Sequence, residues 1–489
     1  MVKNGVLLQS FEWYTNDDGS FYNRLKQQAK NYADLGISAV WMPPSYKGIG
    51  GTKDVGYGAY DLYDLGEFNQ KGTIRTKYGT KDEYLSCVEE LQKQQIDVYA
   101  DVVLNHKMGA DELEMVNVYE TENNNREQII SDVKQASVAT RFTFENRHNK
   151  YSDFKWDYKC FDGVDYDCMA RKNAKYLFEN KKWDEEVDDE NDNFDYLMGA
   201  DLDFGNEEVV NELIHWGHWY LDFTHVNGFR LDAVKHISAS FYHKWVKNMR
   251  EYTHKDLFVV GEYWHGDLGH LLNYLNKVEW SMSLFDVCLH YRFYDASKQK
   301  EKYDLRTIFD YTLVKEAPLN AVTFVDNHDT QPEQGLQSFV EEWFKLSAYA
   351  LILLREQGYP CVFIGDLEGN ESHYMRGMKE QIEKLIKIRK KFALGKQIDY
   401  FDDPHLIAWT REEGLVCLIN NENKKNKKIY VGEQFKGNIF SCEVGKEKND
   451  VLIDENGFGD FVSDGYGLTV YTKKIMRNSF FKKSVDSCF

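Results

Sequence analysis

Between residues 6 and 365 the chain alternates short apolar runs with stretches of helical periodicity, a pattern that few folds accept. Residues 6–11, 39–42 and 97–106 read as buried strands. Between the first two, Ser20 opens a helical pattern carried by Leu25, Ala29 and Leu35 and closed by Gly36. Between the second and third, Thr80 and Glu83 make a capping box ahead of Tyr84, Leu85, Val88 and Leu91. Five more strands follow at 228–232, 258–262, 283–286, 321–325 and 361–365. A helical stretch at 207–223 precedes the first of these, and a helix through Ile382, Leu385, Ile386 and Phe392 ends at Gly395. Strands that alternate with helices build a parallel α/β sheet. Eight such units predict a closed (β/α)8 TIM barrel.

Two stretches fall outside the alternation. Residues 107–205 are polar, aromatic and irregular, and too long for a loop, so they are expected to form an inserted, irregular, β-rich subdomain after strand three. Beyond about residue 396 the helices stop, and short strands at 406–410, 415–419, 428–431 and 467–471 predict a C-terminal antiparallel β-sandwich. The expected domains are therefore a barrel of 1–106 and 206–396, an insert of 107–205 and a β domain of 397–475. Residues 476–489 are read as a flexible basic tail.

The formal charge of −20 makes nucleic acid and anionic membranes poor partners. No apolar run is long enough to span a bilayer. The start of the chain lacks the apolar core of a signal peptide, and the eight scattered cysteines read as free thiols. Both features predict a cytoplasmic protein, and a monomer is expected.

A barrel carries its chemistry at the carboxyl ends of its strands. There the sequence places Asn105 and His106 after strand three, Asp232 after strand four, Glu262 after strand five and Asp329 after strand seven. Period two puts Arg230 on the same face as Asp232, where a guanidinium keeps a carboxylate ionised. Glu262 has apolar sequence neighbours and anionic neighbours at the mouth, both of which raise a carboxyl pKa. One ionised and one protonated carboxyl are what glycosidic bond cleavage requires. The insert carries a second acidic set, with 16 Asp and Glu against 7 Lys and Arg over residues 153–203. Charge alone leaves two readings of it, a solvated acidic face or a calcium site built from hard carboxylate oxygens.

Four segments then carry a resemblance: 101–106 (DVVLNH), 228–232 (GFRLD), 261–262 (GE) and 324–329 (FVDNHD). In type and order they resemble the four signature regions of the α-amylase family, with an insert after strand three as that family has. Residues 54–67, 75–80, 195–198 and 232–236 are similar to the liquefying bacterial branch. The likeness runs from about residue 4 to 473. It implies Asp232 as nucleophile, Glu262 as acid/base and Asp329 as the third, transition-state-stabilising acid. It implies substrate contacts from Arg230, His106, His328, Lys235, Tyr57, Trp264 and Trp13. It also implies a structural Ca²⁺ on Asn105, Asp195, Asp201 and the carbonyl of His236, with adjoining metal positions on Asp165, Asp184 and Asp203. Gly205 stands where that branch carries another acid.

The activity implied is retaining endo-hydrolysis of α-1,4-glucan by double displacement. Two rivals stand beside it: a transglycosylase or exo-acting enzyme of the same superfamily, and a catalytically silent glucan-binding protein. Product lengths separate the first, and the intact acid triad argues against the second.

Overall fold

The computed structural model describes residues 4–446 and 448–474. The expected tail at 476–489 lies outside the described residues. Eight parallel strands close a barrel. They are β1 (Leu7–Gln9), β2 (Ala39–Met42), β3 (Asp97–Val102), β4 (Gly228–Leu231), β5 (Phe258–Gly261), β6 (Ser283–Phe285), β7 (Ala321–Phe324) and β8 (Tyr359–Phe363). Each strand pairs with its neighbour in sequence order, and β8 closes on β1.

Helices follow the strands because their apolar residues recur on one face. In the helix Phe21–Leu35, for example, the residues Leu25, Ala29, Tyr32 and Leu35 are buried. The capping box at Thr80 and Glu83 forms as expected, with the Thr80 hydroxyl accepting from the Glu83 N–H. Where β4 meets β5 the backbones leave no room for a side chain. A Cβ on Gly228 would lie 2.1 Å from the Phe258 carbonyl oxygen.

Strand three ends earlier than its apolar run implies. The ladder stops at Val102, and His106–Lys107 pairs instead with Ala200–Leu202. The chain leaves the barrel there to enter the insert, so residues 103–105 form the junction and not a strand end. The insert is also more regular than its composition implies. It holds a six-stranded sheet in the order 106–107, 200–202, 161–167, 172–178, 112–121, 134–141. In the strand Glu112–Thr121 Val116 and Val118 are buried while Asn117 between them is exposed, so the sequence looks polar although the strand pairs on both sides.

The chain divides into two compact units. One contains residues up to 298, 307–353 and 357–387, and so holds barrel and insert together. The other contains 299–306, 354–356 and residues from 388 onward. In the second unit a six-stranded antiparallel sheet and a two-stranded ladder enclose a core that includes Leu418, Ile429, Phe440, Phe461 and Tyr471. Four of its strands, Gln397–Asp403, Ile439–Val444, Asp450–Leu452 and Phe458–Ser463, escape the sequence reading. The first of these is half-exposed along its whole length and carries no strong apolar signal.

Gly228→Ala should lower the urea midpoint by an amount equivalent to about 1–3 kcal/mol, the usual cost of overpacking. An unchanged midpoint would mean that β4 and β5 can part without loss.

Candidate active site

The site starts from one register. In the β3–β4 ladder Asp101 lies beside Arg230. Both side chains are buried, so each must find its partners inside the protein. Arg230 Nη1 donates to Asp101 Oδ1 at 2.9 Å and to Asp232 Oδ1 at 2.5 Å. Its Nη2 lies 3.7 Å from Glu262 Oε2. Asp101 Oδ2 accepts from Trp41 Nε1 and from the Tyr57 hydroxyl, both at 2.9 Å. The guanidinium also sits over the rings of Trp41 and Tyr57, at 5.1 and 5.7 Å.

Asp232 and Glu262 leave their strands at this cation. The Asp232 N–H still bonds to the Val102 carbonyl at 2.9 Å, and the Glu262 N–H to Leu231 at 2.9 Å. Ala233 then takes the left-handed conformation, φ 50° and ψ 37°, unusual for a residue with a Cβ. That turn aims the Ala233 N–H at Glu262 Oε2, 2.8 Å away. Burial pushes the Glu262 carboxyl up to about 8, opposed by Arg230 and reinforced by the charges of Asp232 and Asp329.

Asp329 comes from the loop after β7, which a buried network holds. Lys345 bridges Asp326, at 2.8 Å, and Asp366, while the Thr330 hydroxyl donates to Asp326 at 3.1 Å. The Asp329 side chain keeps about a quarter of its surface exposed, with Oδ2 3.3 Å from His328 Nε2. Burial raises its carboxyl above the usual range, with Arg230 opposing and Asp232 and Asp101 adding to the rise. The structure thus brings Asp232, Glu262, Asp329 and Arg230 to one end of the barrel.

The aromatic and imidazole groups gather there as well. The rings of Trp13, Tyr57 and His328 are nearly parallel, with centroids 5.1 to 6.1 Å apart. Burial lowers both His106 and His328 below the ordinary imidazole value, so both are neutral near pH 7. His328 Nδ1 meets the Gln9 amide at 2.9 Å, and His106 Nε2 meets the Tyr57 carbonyl at 2.9 Å. The latter bond turns that His106 nitrogen to the protein. Lys235 and Trp264 also have protein partners. Lys235 pairs with Glu190 at 2.5 Å and covers the Phe194 ring, while Trp264 Nε1 donates to the Tyr291 hydroxyl at 3.1 Å.

The acids of the insert are not a solvated face. Asp162, Asp195 and Asp201 are buried, and Asp184 and Asp203 lie beside them. Burial, reinforced by their mutual repulsion, raises Asp162, Asp195 and Asp201 well above the carboxylate range and Asp184 to about 7. Asn105 Oδ1, Asp162 Oδ2 and Asp201 Oδ2 are buried with no hydrogen-bond partner among the described residues. Unpartnered oxygens among repelling carboxyls fit a bound cation.

The trio close enough to share an ion is Asp162, Asp184 and Asp203. Asp165 is not in it. It lies three residues on from Asp162 in the strand Phe161–Asp167 and interacts with Tyr196. His236 is buried and neutral, lowered to about 3 by burial and by Lys235, and its Nδ1 meets the Phe194 carbonyl at 2.7 Å. Asp203 pairs with Lys181, and the Gly205 N–H donates to Asp203 Oδ1 at 2.8 Å.

A barrel with three acids around a buried arginine, and a sheet inserted after β3, defines the class. The family model for the α-amylase catalytic domain matches residues 25–415, and the chain belongs to that family. It is 48% identical to a glucan 1,4-alpha-maltohexaosidase of Bacillus sp. (strain 707), over 96% of this chain and 93% of the relative. It is also 48% identical to an alpha-amylase of Bacillus licheniformis, covering 96% and 94%. A cytoplasmic alpha-amylase of Escherichia coli (strain K12) is 42% identical, covering 96% and 99%. Among solved structures, an alpha-amylase of Geobacillus thermoleovorans in complex with acarbose shares the fold. Its TM-score is 0.65 at 18% identity, over 97% of this chain and 99% of that one.

Two residues of the site were not singled out in the sequence. Asp101 anchors Arg230, and its signal was a carboxylate inside an otherwise apolar strand, which must find a cation. Asp162 completes the acidic trio, and no local pattern distinguishes it from Asp165.

Asp101→Asn should destabilise the protein by about 3 kcal/mol, because it leaves Arg230 with one fewer buried counter-charge. A denaturant midpoint within error of the parent would show that Asp232 alone holds the guanidinium.

Proposed function

We propose that the protein hydrolyses internal α-1,4-glucosidic bonds of starch, glycogen and maltooligosaccharides by a retaining double displacement. The observation that carries the mechanism is the asymmetry around Arg230. One carboxylate, Asp232, takes its hydrogen bond directly, while a second, Glu262, is pushed up to about 8 and so carries a proton at neutral pH. Family membership and the named relatives support the substrate class.

In the proposed sequence Glu262 donates its proton to the glycosidic oxygen as Asp232 attacks the anomeric carbon. The leaving sugar departs with that proton. Asp329 faces the positive charge that develops on the ring. Glu262, now ionised, takes a proton from water, and the hydroxide attacks the anomeric carbon of the glycosyl–Asp232 ester from the face that the leaving sugar vacated, opposite the ester. The sugar leaves with α configuration, Asp232 regains its charge and Glu262 its proton. Trp13 and Tyr57 offer apolar faces for sugar rings, and neutral His328 offers a hydrogen bond to a hydroxyl.

Calcium is the proposed occupant of the insert acids, with Asn105, Asp162, Asp184, Asp195, Asp201 and Asp203 as donors and the His236 carbonyl beside them. When bound, the ion supplies charge neutralisation that these residues otherwise lack. A cytoplasmic location is proposed as well. Cys87, Cys160, Cys168, Cys288, Cys361 and Cys417 are free thiols, no described helix is long and apolar enough to cross a membrane, and one relative is named cytoplasmic.

Proton NMR of fresh products from a long maltooligosaccharide should show internal fragments released first as the α-anomer. Asp232→Asn should lower turnover at least roughly 10⁴-fold without loss of fold. β-Anomers would replace double displacement with inversion, and single-length products cut from one end would favour the exo-acting reading. The rate should also fall as pH rises through about 8, where Glu262 loses the proton it must donate.

Chelation should lower the thermal midpoint and added Ca²⁺ restore it. The chelated protein should lose stability from about pH 4 to pH 7. The Asp184 carboxyl is raised by the fold, so its contribution is complete below the unfolded value of 3.8 and is lost as pH rises through about 7. A pH-independent effect of chelation would place the ion away from these acids.

A further inference from the structure

Apart from the acidic trio, the described residues contain one other cluster whose donor atoms converge, and its donors differ in kind. Asp188 comes from the insert loop, and His265 and His270 come from the turn and the helix start that follow Glu262. One ligand atom from each lies within 4.8 Å of the others. Asp188 is buried, while both histidines are partly open to solvent, so an ion can enter from outside.

The cluster is organised as a metal site is. His270 Nδ1 is 3.3 Å from Asp188 Oδ2 and 3.8 Å from Asp189 Oδ1. For metal–ligand bonds of about 2.0–2.1 Å, a tetrahedron has edges of about 3.3–3.4 Å. This pair, which is within hydrogen-bonding distance here, already stands at a tetrahedral edge. The carboxylate is held in place: the Tyr263 hydroxyl donates to Asp188 Oδ2, the oxygen that also faces His270, and the Glu190 N–H donates to Oδ1 at 2.9 Å. The two imidazoles stack face to face at 3.8 Å. His265 Nδ1 accepts the Asp267 N–H at 3.0 Å, so binding turns that ring or exchanges this hydrogen bond for a metal–nitrogen bond.

We propose that Asp188, His265 and His270 form a binding site for a late first-row divalent cation of the Zn²⁺ type, with Asp189 or water completing the shell. Imidazole nitrogens select such ions and exclude calcium, which takes oxygen ligands. The site is thus distinct in ligand chemistry from the acids proposed for calcium. It ties the insert loop at 188–190 to the segment that follows Glu262, and it reaches Tyr263 through Asp188.

The test is a Zn²⁺ titration of the tag-free full chain, saturated with Ca²⁺, against a chromophoric indicator. One Zn²⁺ should bind per chain. His270→Gln should weaken binding more than about tenfold, and His265→Gln with His270→Gln should abolish it. Co²⁺ should give visible absorption of a four-coordinate site in the parent and none in the double variant. Thermal midpoints without Zn²⁺ should match, because both histidines are partly exposed. Equal Zn²⁺ stoichiometry and affinity in parent and double variant would overturn the site, as would no uptake at micromolar metal. Glucan hydrolysis does not enter the readout, so this site and the proposed activity stand or fall separately.

Discussion

A single buried guanidinium organises the barrel mouth. Arg230 is buried away from bulk solvent, and Asp101 beneath it and Asp232 beside it supply its counter-charge. Asp101 in turn is satisfied by Trp41 and Tyr57, so one ion pair draws residues from β2, β3, β4 and the loop at 57 to one point. Its charge also holds Glu262 lower than burial alone would leave it. Glu262 is raised by its burial, and Arg230 moderates that rise while donating a hydrogen bond directly to Asp232.

The insert presents the opposite case. Its acids are as buried as those of the mouth, but the described residues supply few cations to meet them. Lys181 reaches Asp203, while Asp162, Asp195 and Asp201 repel one another and Asp162 Oδ2 and Asp201 Oδ2 are left unpartnered. Repulsion of that kind is tolerated when protons or a metal ion neutralise it. The barrel therefore carries its counter-ion in its own sequence, and the proposed calcium would play that part in the insert. The histidine-bearing cluster at Asp188 is a third arrangement, with nitrogen donors in place of some of the oxygens.

Much of the barrel was legible because its signals are local. A parallel strand buried on both faces is a run of apolar residues, and the end of that run marks where a polar side chain emerges. Asp232, Glu262 and Asp329 could be placed at one mouth on that ground alone. The signal failed where one face of a strand is wet. The strands of the insert read as irregular, and Gln397–Asp403 was not seen, because half-exposed strands differ little from loops in composition. It failed again at residues 103–107, where an unbroken apolar run leaves one sheet and joins another.

By itself the sequence determined the strand and helix alternation, the acids at the strand ends and the pairing of Arg230 with Asp232, since period two requires no partner beyond the strand. The tertiary structure alone decided what depends on register and on faces brought together from afar. Asp101 lies beside Arg230 because β3 and β4 pair in one register and not the next. Asp162, where the pairing of its strand is irregular, joins Asp184 and Asp203, while Asp165 interacts with Tyr196. Asp188 meets His270 across 82 residues of chain. Such meetings are fixed by packing and hydrogen bonding between distant segments, which no local pattern encodes.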